Sequence, residues 1–165
     1  AGVARRLRAT LEATSGLGVT TATAAVSAAL RGLNCRRLGI VTPFPEQANA
    51  AVLSHFQGEG FEVGAMESLA SAQKGKVFSA RISAEQIRAA FRAVNHSGVD
   101  GLLQVGTNLV ATSLVEELEQ ELGKPVIAVN TATYWHALHH LGLHTPVVGC
   151  GRLMGLEADG AMPTP

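Results

Sequence analysis

The chain has 165 residues, enough for one domain with a sizeable core, and its 13 basic side chains are matched by 13 acidic ones. That balance leaves no net field to attract nucleic acid or an anionic membrane surface, so neither is expected as a partner. No apolar run reaches the roughly 18 residues of a spanning helix, and Ala1 to Ala13 carries arginines without the apolar core and cleavage site of a secretory signal.

In chain order, Ala4 to Thr14 places Leu7 and Leu11 at helical spacing and stops at Gly16. Val19 to Thr23 is short and threonine-rich, and Ala24 to Leu33 reads as a helix of small residues. Arg37 to Thr42 is an apolar run ended by Pro43, the pattern of a buried strand. Glu46 to Glu59 predicts a helix with Ala50, Leu53 and Phe56 on one face, followed by a Gly60–Val63 strand. Leu69 to Val77 has no period and is read as a loop. Ser83 and Gln86 form a capping-box pattern before a helix lined by Ile87, Ala90, Phe91 and Val94.

The second half continues the alternation. A buried strand runs from Val99 to Val105 and ends in Gly106-Thr107-Asn108, with a helix expected from Val110 to Leu122. A strand at Val126–Val129, a helix at Thr131–Leu141 and a last strand at Pro146–Cys150 follow, and the tail after Glu157 is expected to be mobile. Strands separated by helices of this length predict an α/β fold, a parallel sheet covered by helices on both faces. The turn at Gly106–Asn108 is expected at a strand's carboxyl end where a helix starts. There, backbone N–H groups and the helix dipole favour an anion such as a carboxylate. The plainer alternative is that Thr107 and Asn108 only cap that helix.

Cys35 and Cys150 lie too far apart in sequence to imply a disulfide framework, and a cytoplasmic location is the expectation. Cys150 lies between two glycines, yet cysteine is commonly buried and inert, and the structural reading is favoured for both thiols. His136 and His140 are four apart on a helix, with His139 and His144 nearby. That spacing suits zinc, but no His-Glu-x-x-His or Cys-x-x-Cys pattern accompanies it, and no metal is expected. Gly98, Gly101 and Gly106 form no dinucleotide fingerprint.

Several segments together resemble the aspartate/glutamate racemase superfamily, in its maleate isomerase and arylmalonate decarboxylase branch. They are Gly39-Ile40-Val41-Thr42-Pro43-Phe44 with Asn49 after it, Gly60-Phe61-Glu62-Val63, Val105-Gly106-Thr107-Asn108, Asn130 to Leu138, and Gly149-Cys150-Gly151-Arg152-Leu153, with Gly18-Val19-Thr20-Thr21 before them. The resemblance implies a Rossmann-like lobe of a pseudo-symmetric two-lobe racemase fold. It divides the chain into crossover helices from a first lobe (1–36), a second α/β lobe (37–129), a returning helix and strand (130–157) and a tail (158–165).

The resemblance also implies a cofactor-independent racemase, isomerase or decarboxylase acting on a small dicarboxylate or α-substituted carboxylate. Thr42, Pro43, Phe44, Gly106, Thr107 and Asn108 would form its substrate pocket. Most relatives carry a catalytic cysteine where this chain has Gly106, and glycine supplies neither base nor nucleophile. In the decarboxylase branch one cysteine suffices, so a first lobe could supply it. The competing expectation is a catalytically degenerate carboxylate-binding or assembly module. An isolated lobe would leave an apolar cleft wall open, so a homo-oligomer is expected.

Overall fold

A computed structural model describes residues 2–69 and 76–156. The first helix, α1 (Gly2–Ser15), lies largely exposed, whereas α2 (Ala22–Gly32) is capped by the Thr21 hydroxyl, which accepts from the Ala24 N–H, and buries Ala25, Val26, Ala29 and Leu30. Then come β1 (Arg37–Thr42), α3 (Glu46–Gly58), β2 (Glu62–Ser68), a short α4 (Lys76–Ser79) and α5 (Ala84–Val94). The second half holds β3 (Gly101–Gln104), α6 (Val115–Leu122), β4 (Val126–Ala128), α7 (Val129–His140) and a short α8 (Gly151–Met154).

All the strand pairs are parallel, in the order β2-β1-β3-β4. Side-chain alternation along the strands divides the core between two faces. Leu38, Ile40, Leu103 and Ile127 pack with Leu30, Phe56, Ala132, Trp135 and Leu153, from α2, α3, α7 and α8. Val41, Leu102, Val126 and Ala128 pack with Ile87, Phe91, Val115 and Leu118, from α5 and α6. Burial on both faces explains why β1 and β3 read as continuous apolar runs. At position 39 a Cβ would come within 2.7 Å of the Val94 carbonyl oxygen, so glycine there lets α5 lie close on β1.

The Ser83–Gln86 capping box forms as predicted, and Ile87, Ala90, Phe91 and Val94 line the buried face of α5. At the amino edge of the sheet, Asp100 ties β1 to β3. Its Oδ1 accepts the backbone N–H groups of Arg36 (2.7 Å) and Arg37 (2.8 Å), and its Oδ2 meets Arg37 Nε at 3.4 Å.

Several sequence expectations need correction. The strand expected at Pro146–Cys150 does not form. Pro146 has no N–H to give a ladder, Gly149 and Gly151 take φ of 86° and 78°, and Val147 N–H bonds instead to the Met154 carbonyl. The helix expected from Val110 begins only at Val115, after a 3₁₀ turn at Thr112–Leu114. The strand ending at Val129 stops at Ala128, where α7 starts directly. The strand at Gly60–Val63 runs instead from Glu62 to Ser68. Ala50 is exposed, and Asn49 lies on the buried face of α3 with Phe56. Most of the predicted loop Leu69–Val77, and the tail 158–165, lie outside the described residues. No helix among the described residues is long and apolar enough to cross a membrane.

Candidate functional site

The strand order places a topological switch between β1 and β3. The chain leaves β1 through α3 on one face of the sheet toward β2, then returns through α5 on the other face to β3. At such a switch point, open α/β sheets bind ligands in the crevice outside the carboxyl ends of the strands. The two segments singled out from sequence, Thr42–Phe44 and Gly106–Asn108, are the loops after β1 and β3.

They touch. A Cβ built on Gly106 would lie 2.7 Å from Pro43 Cγ, 2.8 Å from Pro43 Cδ and 3.4 Å from Phe44 Cζ. Gly106 also has φ 104°, a conformation that side chains rarely adopt. This turn is therefore shaped around a glycine, and a thiol on residue 106 would displace the proline.

The first turn is held from below. Thr42 is fully buried, and its hydroxyl donates to Asn49 Oδ1 (2.6 Å) while accepting the Phe44 N–H (3.3 Å). Asn49 Nδ2 in turn donates to the Phe44 carbonyl (3.2 Å), which also accepts the Ser68 hydroxyl from the end of β2. Pro43 is buried and Phe44 half-buried. Thr42 thus spends its one proton inside the protein.

The second turn is closed by Leu109 N–H donating to the Gly106 carbonyl (3.0 Å). Thr107 and Asn108 are exposed, and Leu109 is fully buried. The turn does not open a helix, because α6 starts seven positions after Asn108. Both the dipole argument for α6 and the capping alternative fail here. The helix terminus beside the turn is that of α7, which follows β4 without a loop. Asn130 in its first turn donates Nδ2 to the Thr107 carbonyl (3.0 Å). The sequence reading missed Ser68 and Gln104. Gln104 carried a signal, a polar residue inside an otherwise apolar strand, and Ser68 carried none.

The thiols lie elsewhere. Cys35 is buried beneath Gly101 at the amino edge, and burial, with Asp100 and Glu119 adding to it, pushes its pKa up to about 12. Cys150 is partly buried, packed against the core beside α8. The Gly149–Leu153 segment is anchored by Glu119, a buried carboxylate on α6. Its Oε1 accepts Val126 N–H (2.9 Å) and its Oε2 accepts Arg152 N–H (2.7 Å). Gly151 has no room for a Cβ against Val115 and Glu119. A cavity of about 340 Å³ between α6 and this segment shares no lining residue with the two turns.

The histidines also have local partners. His136 is buried, with Nδ1 bonded to the Thr20 hydroxyl, and its ring meets His140 edge-on at 4.3 Å. Burial first, then His140, Arg8 and His139, lowers its pKa to about 4. His139 bonds the Trp135 carbonyl at 3.1 Å and packs on His144. Among the described residues no group of three or more His, Cys, Asp or Glu is placed to hold a metal ion.

This fold and these motifs have counterparts. A family model, arylmalonate decarboxylase, matches residues 2–154, and the chain belongs to that family. Maleate isomerase from Nocardia farcinica (strain IFM 10152) is 34% identical over 134 residues, covering 81% of this chain and 52% of the relative. Maleate isomerase from Alcaligenes faecalis is 24% identical over 126 residues, covering 76% and 49%. The chain thus spans about half the length of the curated relatives it matches.

Among solved structures, a mutant of Nocardia farcinica maleate cis-trans isomerase with a covalently bound succinylcysteine intermediate superposes with a TM-score of 0.84 at 31% identity. That match covers 91% of this chain and 63% of the other. Unliganded arylmalonate decarboxylase gives a TM-score of 0.84 at 24% identity, covering 94% and 68%, and supports the fold alone.

Proposed function

We propose that this chain forms the carboxylate-holding part of a cofactor-independent isomerase or decarboxylase. Its substrate would be a small dicarboxylate or α-substituted carboxylate. The observation carrying this reading is the meeting of the Thr42–Phe44 and Gly106–Asn108 turns at the sheet's switch point. Family membership and the covalent succinylcysteine in a relative support the reaction class.

Thr107 and Asn108 face the carboxylate with donors, Pro43 and Phe44 wall it, and Thr42 with Asn49 positions that wall. Gly106 lets Pro43 and Phe44 close against the second turn. The thiol that this chemistry needs is not among the groups at the two turns, so we assign it to a first lobe outside residues 1–165. On this reading 1–36 are the crossover helices and 37–129 the second lobe. We place the protein in the cytoplasm, without nucleic-acid or membrane partners, and as a homo-oligomer.

Incubating the gene product with maleate and with an arylmalonate, and following fumarate formation and CO₂ release, tests this directly. Turnover by a product heavier than 17.1 kDa supports the enzyme with its thiol upstream. A second reading, a non-catalytic carboxylate-binding module, is favoured by the absence of a thiol from both turns. Malonate binding without turnover, by a product of 17.1 kDa, would establish it instead.

A further inference from the structure

Gln104 is the last residue of β3 and is fully buried. Its register partners are Val41 on one side and Ala128 on the other, and both belong to the apolar core under α5 and α6. Its Nε2 donates to the Gly106 carbonyl at 2.6 Å, while its Oε1 is buried without a hydrogen-bond partner. A leucine would fill this place with no orphaned oxygen. The amide therefore costs stability where it sits, and its one contact reaches into the candidate site.

That contact fixes a direction. The Gly106 carbonyl receives two donors from within, Gln104 Nε2 and Leu109 N–H. A trans peptide is planar, with its C=O and N–H antiparallel, and no cis peptide is present among the described residues. A carbonyl held inward at Gly106 therefore points the N–H of Thr107 outward, on the exposed side of the turn. Glycine has the freedom to rotate this peptide either way, so the orientation needs an external hold. Asn130 holds the next carbonyl, that of Thr107, toward α7.

We propose that Gln104 is a positioning residue: by holding the Gly106 carbonyl inward, it presents the Thr107 N–H to the crevice as a hydrogen-bond donor. The inference rests on the proposed carboxylate site for its use, but not for its test. Gln104→Met keeps the side chain's length and removes the donor and the orphaned oxygen together. Amide exchange in the intact chain should then rise roughly tenfold at Leu109, the size of one net hydrogen bond, with the melting temperature unchanged or higher. Unchanged exchange at Leu109 would overturn the proposal, and so would a drop in melting temperature with all amides loosened alike.

If the variant fails to fold, the wild-type chain still decides the matter. A through-bond coupling between the Gln104 side-chain nitrogen and the Gly106 carbonyl carbon supports the hold, and its absence refutes it. Titrating malonate while watching the Thr107 amide resonance separates the two claims. A null titration with a faster Leu109 in Gln104→Met would sink the carboxylate reading and leave the positioning role standing.

Discussion

Residue 106 sets the sharpest local constraint. Its positive φ and the 2.7 Å approach to Pro43 Cγ mean that Gly106→Ala and Gly106→Cys should each lose about 1–3 kcal/mol of stability, the range for strained backbone. Urea unfolding of the variants measures this, and a neutral Gly106→Cys would show that the turn can remodel to take a thiol. The cysteines give a second residue-level expectation. Cys35, buried and with its pKa pushed up to about 12, should resist a thiol reagent in the native state while the partly exposed Cys150 reacts. A count of one thiol native and two in denaturant is the expected result. The burial of Cys35 was readable from residue type alone. The sequence did not reveal the glycine-dependent contact with Pro43, which depends on strands brought together from distant positions.

Among the elements, the strands and long helices were legible because two-sided burial makes β1 and β3 continuous apolar runs and the amphipathic face of α5 has a clear period. The region after Cys150 was not, because its order depends on one long-range carboxylate. Glu119 satisfies the first N–H of β4 and the N–H of Arg152 at once, and nothing in its local pattern, Glu-Leu-Glu-Gln, distinguishes it from solvent-facing neighbours. Glu119→Ala should cost about 2–4 kcal/mol, as expected when buried donors lose a charged acceptor. Amide exchange should rise first at Val126 and Arg152, and a change spread evenly over α6 would argue against this role. The late start of α6 was equally hidden: Thr112 bonds Thr131 across the fold at 3.3 Å, a tertiary contact that competes with extending the helix. The two turns of the candidate site were found from sequence by resemblance and by their place after apolar runs. Their supports, Ser68 and Gln104, became visible only with strand register.

At the scale of the whole molecule, acid should weaken the fold in two stages. His136 has its pKa lowered to about 4 from the usual 6.5, so between those values the unfolded chain binds more protons than the folded one. Stability therefore falls as pH drops through that window. Burial alone would raise the Asp100 carboxyl, but the backbone N–H groups of Arg37 and Arg36 and the Arg37 guanidinium hold it below its ordinary value. Its contribution is present above the unfolded carboxylate range and is lost as pH falls through the lower folded value. Chemical unfolding from pH 7 to pH 4 should show the first loss, and His136→Gln should flatten it. An unchanged slope would remove His136 as its source. Leu7, Leu11, Leu141 and Val148 remain exposed, so sedimentation should show self-association that grows with concentration, and a clean monomer throughout would count against it.

The carboxylate of Asp100 has a reach that its surface position conceals. It fastens the N–H groups of Arg36 and Arg37, where β1 begins, through the residue preceding β3, and from that datum each strand runs in parallel to one of the two turns. A strand advances about 3.3 Å per residue, so a one-residue slip at the amino edge would move Gly106 past Pro43 by that length and separate the surfaces now in contact. The spacing of the crevice is in this sense gauged from the opposite edge of the sheet. A substitution at residue 100 would detune the crevice without touching anything that lines it.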